Sequence, residues 1–327
     1  MIKQFRSLNP LNIFFLVLMA LVLRIPFWEH YMQQTAPNFQ ELLNHLLIKS
    51  SPTLYLSKST LLILGLVCLL IQSLLFNKVV NTHNLIGKSS FMPALLFVVC
   101  GSFVTSFAFF SPVMLCNFLI IWLLNRFLNL YRQGEIRSLI YDAGMVIGIG
   151  TLIYEPFVLI FPLLWISLMI FRPFNWREWV IGMMGFLTVL FFLGFYYYWN
   201  NSLALFSEVW LPEYTPGIIQ SINYWMLAPL FVIIVLGLIQ LRANFFRSVV
   251  HIRKSYQLLL VFFLLALASA VPKWGNADHL LLALAPVCVL LAYYFQHAGK
   301  RWFYESLFLS LIGSILYFQF FQTFNFF

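Results

Sequence analysis

The sequence predicts an all-helical, polytopic membrane bundle, and two features of its composition lead to that prediction. Of its 327 residues, 62% are apolar, 19% are aromatic and only 9% are charged, whereas a soluble domain typically carries about 25% charged residues. The uncharged stretches are long and continuous, and most reach the roughly 20 apolar residues that a membrane-crossing helix needs. A transmembrane β-barrel would instead show alternating segments of about 10 residues.

Eleven helices are expected, because prolines divide two of the apolar stretches. Pro112 lies within the uncharged stretch 89–125, and Pro156 divides residues 138–171. Proline lacks a backbone N–H and disfavours helical backbone at the residue before it, so each proline marks a turn. The predicted helices are 10–27, 59–77, 91–110, 112–131, 138–154, 156–171, 179–199, 223–241, 256–271, 280–297 and 303–322.

The first, fifth and sixth helices need separate justification. The first follows Lys3 and Arg6, as a signal peptide would, but it lacks a small-residue cleavage site and is expected to stay as an uncleaved span. The fifth and sixth are near the lower length limit for crossing, so they are either two short spans or a hairpin that lines a water-filled pocket. Gly144 and Gly148 in the fifth have the spacing that lets helices approach closely.

The distribution of basic residues predicts the orientation, because cytoplasmic loops are enriched in Lys and Arg. With the N-terminus inside, the inner segments hold fifteen of the 19 basic residues, and the outer segments keep Arg24, Lys49, Lys58 and Lys273. Joining the fifth and sixth helices into one would place the basic cluster 242–254 outside. We therefore expect a multi-pass protein of the bacterial inner membrane, with a cytoplasmic N-terminus and an external C-terminus.

The whole chain, 1–327, is expected to form one membrane-embedded domain with two long outer loops. The loop 29–58 carries apolar residues at helical spacing between Phe39 and Leu47. Such a pattern beside polar residues is typical of an amphipathic helix lying in the membrane interface. The second outer loop covers 200–223.

Motifs for known chemistry are few. The sequence contains no P-loop, no Gly-x-Ser-x-Gly and no His-Glu-x-x-His, and the four cysteines lie in apolar stretches, where they are expected to be small buried hydrophobic residues. His83 and His251 are loop residues without a partner at metal-ligand spacing. In the inner turn, Arg177 and Glu178 are expected to pair. No cofactor is evident, although a divalent metal is a candidate.

Polar residues concentrate at the outer helix ends, where six of the ten acids lie. If these ends face one cavity, carboxylates could bind a metal or act as a general base, and cations could bind phosphate. Alternatively, the outer loops are simply polar and their charges pair across the rim. The candidates are Glu29 for catalysis and Arg24, Glu155, Glu213, Lys273, Asp278 and His279 for binding substrate or phosphate.

Residues 24–29 and 172–179 resemble an uncharacterised family of multi-pass inner-membrane proteins from Bacteroidota. The layout is also similar, more loosely, to GT-C glycosyltransferases, which have an acid and an interfacial helix after the first span. That similarity implies sugar transfer from a polyprenyl-phosphate donor. It would place Glu29 in the role of the acid and Arg24, Lys273 or His279 at the phosphate, although the superfamily usually has Asp where this chain has Glu29.

Three functions are open on the sequence alone. The sequence favours a non-catalytic subunit of an envelope assembly, because strong catalytic motifs are lacking and Phe is abundant. The alternatives are a GT-C-like enzyme acting on a polyprenyl-phosphate-linked sugar at the outer face, and a lipid or solute translocator. The expected partners are the lipid bilayer, a polyprenyl-phosphate lipid or other envelope membrane proteins. Nucleic acid is not expected, because the basic residues are spread over many short loops.

Overall fold

A computed structural model of the chain describes residues 2–25, 58–103, 105–131, 136–201, 227–268 and 277–321, and every regular element in these ranges is helical. Each predicted range contains a helix, so the all-helical fold class is confirmed. The α-helices are α1 Ile2–Phe5, α2 Leu11–Val22, α3 Lys58–Thr82, α4 Met92–Cys100, α5 Pro112–Asn129, α6 Arg137–Ile153, α7 Phe161–Phe171, α8 Trp176–Trp199, α9 Ala228–Asn244, α10 Val250–Ala268, α11 Leu284–His297 and α12 Arg301–Phe321. Short 3-10 helices cover Thr105–Ala108, Glu155–Ile160, Phe245–Arg247 and Ala277–Ala283.

Five helices in the described ranges are long and apolar enough to cross a membrane: α3, α5, α8, α10 and the segment Leu280–His297 that includes α11. Three shorter apolar helices accompany them, namely α2, Glu155–Phe171 and α9. These helices identify a membrane protein. The count of about eleven crossings and the orientation of the termini remain predictions. The interfacial helix in the loop 29–58 and most of the loop 200–223 lie outside the described residues.

The centre of the bundle is α4. All nine of its residues are buried, and it contacts α1, α2, α3 and α11. A helix that is apolar on every side is stable only when it is surrounded. The prediction of one continuous helix over 91–110 is wrong, because α4 ends at Cys100 and a separate 3-10 turn follows at Thr105–Ala108. The break lets the carbonyl groups of that turn bond outside their own helix.

Both proline turns are confirmed. Ser111 caps α5 by accepting a hydrogen bond from the Met114 N–H, and Pro112 takes the first helical position, where its missing N–H costs nothing. Tyr154 has extended backbone between α6 and the Glu155–Ile160 turn. The rings of Tyr131 and Phe171 lie 6.3 Å apart, so the chain that leaves near Tyr131 returns at Phe171. Two helices therefore occupy this stretch.

Glycines allow α6 and α8 to pack with their backbones close together. A Cβ on Gly144 would meet the carbonyl oxygen of Gly182, and one on Gly148 would lie 2.9 Å from the Val189 Cβ. In the reverse direction, a Cβ on Gly185 of α8 would meet the carbonyl oxygen of Tyr141 in α6. The predicted close approach through Gly144 and Gly148 is confirmed.

The loops collect at two ends of the bundle. At the first, which we call the basic end, Phe91 N–H donates to Phe5 O at 3.0 Å and Tyr256 Oη donates to Leu85 O at 2.9 Å. The basic end comprises 2–6, 83–91, 125–131, 171–177, 247–254 and 297–301.

At the opposite end, which we call the Arg24 end, Phe110 N–H donates to Leu61 O at 3.1 Å. Cys116 lies in the second turn of α5, and its Sγ is 3.7 Å from Gly150 O near the end of α6. The end of α6 therefore also lies at the Arg24 end. The Arg24 end comprises 24–25, 58–61, 105–111, 150–157 and 277–283.

Candidate functional site

The structure describes the side chains of two predicted site residues, Arg24 and Glu155. Glu29, Glu213 and Lys273 lie outside the described residues. For Asp278 and His279 the backbone is described, within the Ala277–Ala283 turn at the Arg24 end. The predicted outer cluster therefore has two described members at one end of the bundle.

Arg24 lies two residues after the end of α2, and its side chain is buried, with 7% exposure. Its Nη1 donates to Ala108 O at 2.8 Å and its Nη2 donates to Phe107 O at 3.2 Å. Carbonyl groups at the end of a short helix have no helical partner and carry partial negative charge. The guanidinium supplies donors to these carbonyls and connects α2 to the Thr105–Ala108 turn.

A cavity of about 350 Å³ adjoins Arg24 between α2 and α3. The Nε of Arg24 is buried and has no hydrogen-bond partner in the part of the chain that the structure describes. The volume lies within the range of about 300–1,000 Å³ that is common for ligand pockets. Apart from Arg24, the cavity is lined by Leu21, Ile25, Leu62, Ile63 and Leu66.

We call this space the Arg24 cavity. Aliphatic side chains form its walls, and the guanidinium is its one charged group among the described residues. Such a space suits a hydrocarbon chain that carries an anionic head, because the walls exclude water while the cation binds the anion.

Glu155 lies at the same end of the bundle but on other elements. It is the first residue of the Glu155–Ile160 turn, where a carboxylate is stabilised by the positive end of the helix dipole. Its side chain is half-buried and engaged with a neighbour. Glu155 is positioned by α6 and α7, whereas Arg24 is positioned by α2 and the Thr105–Ala108 turn.

Metal ligands do not come together in the described ranges. These residues contain no group of three or more His, Cys, Asp or Glu side chains that could hold a metal ion. All four cysteines are free thiols, and Cys100, Cys116 and Cys288 are buried, as predicted, whereas Cys68 is only partly buried. The candidate divalent metal therefore gains no ligand set from the described part of the bundle.

A histidine pair at the basic end was missed by the sequence interpretation. The rings of His83 and His251 lie 6.3 Å apart, and Nε2 of His83 is 3.0 Å from Oδ1 of Asn125. Tyr131 packs on His251 at 4.9 Å between ring centroids. Burial lowers the pKa of His83, the hydrogen bond to Asn125 opposes that shift, and the neighbouring His251 adds to it. His83 lies in the turn after α3, as predicted, but the prediction of a loop at His251 is wrong, because His251 lies in the first turn of α10. The pairing joins distant parts of the chain, so sequence spacing gives no signal of it.

The predicted ion pair between Arg177 and Glu178 is wrong. Oε1 of Glu178 lies 3.9 Å from Nη1 of Arg172 and accepts a hydrogen bond from the Asn175 side chain at 3.4 Å. Arg177 instead lies over the Trp176 ring. Adjacent helical residues point in different directions, whereas a residue in the first turn can reach back to the cap and the preceding loop.

One family model matches residues 42–327, which is most of the chain. The chain belongs to a family of unknown function, DUF6427. Comparison with curated proteins gives no match, and neither does comparison with solved structures. Membership of DUF6427 confirms the expectation of an uncharacterised family. Glu155, Glu213, Lys273, Asp278 and His279 lie within the DUF6427 match, while Arg24 and Glu29 precede it.

Proposed function

We propose that this DUF6427 protein is a non-catalytic subunit of an envelope assembly in the bacterial inner membrane, and that it holds an anionic lipid in the Arg24 cavity. One observation carries the proposal: a buried guanidinium, whose Nε–H has no partner among the described residues, lies in the wall of an aliphatic cavity. The lipid class that fits is a polyprenyl or acyl chain ending in a phosphate.

The energetics favour an anionic ligand. A buried donor without a partner costs roughly 1–3 kcal/mol. A phosphate oxygen beside the guanidinium would accept a charge-assisted hydrogen bond from it, and a small movement of the side chain would bring the buried Nε within reach. Covering the aliphatic walls with a hydrocarbon chain contributes about 0.8 kcal/mol for each buried CH₂ group.

The Arg24 cavity is open to the hydrocarbon side of the bundle. Three of its lining residues remain about half exposed: Leu21 at 51%, Ile25 at 53% and Ile63 at 50%. Apolar side chains exposed on membrane helices face acyl chains, so a lipid can enter from the bilayer without passing through water. This lateral access supports a lipid over a soluble ligand.

The same cavity favours one alternative, a GT-C-like enzyme that acts on a polyprenyl-phosphate-linked sugar at the outer face. Arg24 would hold the donor phosphate, and Glu29, five residues later, would act as the base or metal ligand. The remaining candidates, Lys273, Asp278 and His279, would complete that site. A translocator is less well supported, because the fully buried α4 fills the centre of the bundle.

The proposal is tested by filling the cavity. Ile63→Trp places an indole in it, whereas Ile71→Trp changes an exposed residue of the same helix outside the lining. In nanodiscs, we expect polyprenyl phosphate to bind the wild type more tightly than polyprenol. Ile63→Trp should weaken that binding about tenfold or more, the loss of roughly two buried CH₂ groups, and Ile71→Trp should not. Equal binding of the neutral and anionic lipids would overturn the proposal.

The Glu29→Gln variant distinguishes the proposed non-catalytic subunit from the alternative GT-C-like enzyme. A non-catalytic subunit keeps both lipid binding and complementation of a deletion strain when Glu29 loses its charge. An enzyme that uses Glu29 keeps lipid binding and loses complementation. Recovery of a stable protein partner in mild detergent from the complemented strain is the further result expected of a subunit.

A further inference from the structure

A second cavity, of about 390 Å³, lies at the basic end. Arg6 precedes α2 and Arg24 follows it, so the two cavities are separated by the 12 residues of that helix, roughly 18 Å. The second cavity is lined by Arg6, Ile86, Gly87, Lys88, Gln296 and His297.

Arg6 is held rigidly in this cavity. Its Nε donates to Phe295 O at 3.0 Å, its Nη2 donates to Ala298 O at 2.9 Å, and its guanidinium lies 4.4 Å from the centre of the Tyr304 ring. These hydrogen bonds use Nε and Nη2 and leave Nη1 for another acceptor. The guanidinium is therefore already oriented, and an incoming anion does not have to order it.

The turn after α3 carries Lys88 to the cavity edge. Gly87 N–H donates to Asn84 O at 3.1 Å, and Gly87 has a φ of +81°, a conformation that favours glycine. Next to it, Ile86 is buried and anchors the turn in the core. The Lys88 side chain is exposed. Its ammonium group can thus reach an anion at the mouth of the cavity.

The opposite wall is the end of α11. Nδ1 of His297 lies 3.0 Å from Tyr293 O. A carbonyl oxygen only accepts, so Nδ1 carries a hydrogen, and Nε2 can donate to a phosphate oxygen when the imidazole is the cation, which carries a hydrogen on both nitrogens. Beside it, Oε1 of Gln296 is buried without a hydrogen-bond partner in the described chain. Turning this amide over would present its NH₂ group as a donor instead.

In the described part of the chain, no acidic side chain lines the cavity beside its cations. Glu305, on the following helix, is paired with Arg301 at 3.0 Å. We propose that this cavity is a binding site for a phosphate ester, held by Arg6, Lys88 and His297. It does not depend on the function proposed for the Arg24 cavity.

Two sources can supply a phosphate ester here: the head of an anionic phospholipid, or a soluble phosphate compound. Basic pockets at the ends of membrane helices commonly bind anionic lipid heads. The exposed Trp302, next to Arg301, is a residue type enriched at the membrane interface. The lipid is therefore the source that we expect.

The test compares Lys88→Gln and the double variant Lys88→Gln/His297→Gln with Lys78→Gln, a change at an exposed lysine near the end of α3 and outside the lining. Each protein is placed in phosphatidylcholine nanodiscs with or without phosphatidylglycerol, and retained lipid is measured by native mass spectrometry. We expect phosphatidylglycerol to bind about fivefold more weakly to the single variant and more weakly still to the double variant, with Lys78→Gln unchanged.

A second arm identifies the source. Inorganic phosphate and glycerol 3-phosphate are titrated into the protein in phosphatidylcholine discs. One outcome is that the wild type binds these compounds, the double variant does not, and neither protein prefers phosphatidylglycerol. That outcome assigns the site to a soluble phosphate ester. Phosphatidylglycerol and phosphate binding that are equal in the wild type and both variants would overturn the site. Arg6 is left unchanged because it also supports the fold.

Discussion

Arg24 illustrates, at the scale of a single residue, how far sequence reasoning reaches. Its position at the end of the first helix could be predicted from the charge pattern. Its partners, the carbonyl groups of Phe107 and Ala108, could not, because they lie more than eighty residues away and backbone groups leave no mark in the sequence. The same residue therefore has a structural role that the sequence does not indicate, beside the binding role that we propose.

Arg24→Met should lower the free energy of unfolding by about 2 kcal/mol, because hydrogen bonds to a charged group are lost and two buried carbonyl groups are left without donors. Unfolding in mixed micelles with increasing denaturing detergent measures the change. Arg301→Met is the matched control, since Arg301 is exposed and pairs with Glu305 one helical turn away, and it should behave like the wild type. Equal stability of both variants would contradict the role given to Arg24.

His83 makes a prediction about pH. Burial lowers its pKa below the ordinary value of 6.5, so the unfolded chain takes up a proton more readily than the folded one. The stability that neutral His83 contributes is fully present above pH 6.5. It decreases as the pH falls below 6.5, and it stops changing once the pH is below the pKa of His83 in the folded state. The groups that face His83 are Asn125 and His251, with Tyr131 packed on His251.

His83→Gln should therefore flatten the dependence of unfolding free energy on pH below 6.5. Thr82→Ser, a change at the residue before His83 that removes no titratable side chain, should retain the wild-type slope. Unfolding titrations at several pH values measure both slopes. A wild-type slope in the His83→Gln protein would contradict this account of the histidine pair.

At the scale of elements, local chemistry predicted where helices divide. Pro112 and Pro156 mark turns because proline affects its own and the preceding backbone wherever it stands. The early end of α4 at Cys100 was not predictable in this way. It coincides with Gly101 and depends on contacts that the 105–110 segment makes with Arg24 and Leu61. Tertiary partners decide that boundary.

The packing of α6 on α8 predicts a large effect from a single methyl group. Gly144→Ala should cost about 1–3 kcal/mol of stability, because the new Cβ meets the backbone of Gly182, which cannot move aside as a flexible side chain would. Gly313→Ala is the control, since a Cβ at Gly313 has open space. It should be neutral, or stabilising by up to about 1 kcal/mol. Thermal unfolding in detergent compares the two.

At the scale of the whole molecule, the described parts of the loops predicted as inner lie together at the basic end, and the described turns predicted as outer, at 105–111 and 154–157, lie together at the Arg24 end. This grouping of the loops could be predicted because each membrane crossing places the next loop on the other side. Lys and Arg are enriched in the loops on the cytoplasmic side. The contacts within each end could not, because loops distant in the chain meet only in the folded bundle. The His83–His251 pair is one example.

Cysteine labelling tests the predicted orientation. In a Cys68→Ala background, whose remaining cysteines are buried, we introduce Lys88→Cys at the basic end and Asn201→Cys after α8. Both positions are exposed. In intact cells, a membrane-impermeant maleimide should label Cys at 201 and leave Cys at 88 unlabelled until the cells are opened. The reverse pattern would invert the topology.

The complete enclosure of α4 has a consequence for biogenesis. This nine-residue helix leaves the ribosome early, yet α11, which covers part of it, follows roughly 180 residues later. At synthesis rates of about 5–20 residues per second, α4 waits roughly ten to forty seconds for that cover. Until then it depends on α3 and on lipid or an insertion factor for shelter. A nascent chain that stops before α11 leaves this wholly apolar central helix partly uncovered, where quality-control proteases can recognise it.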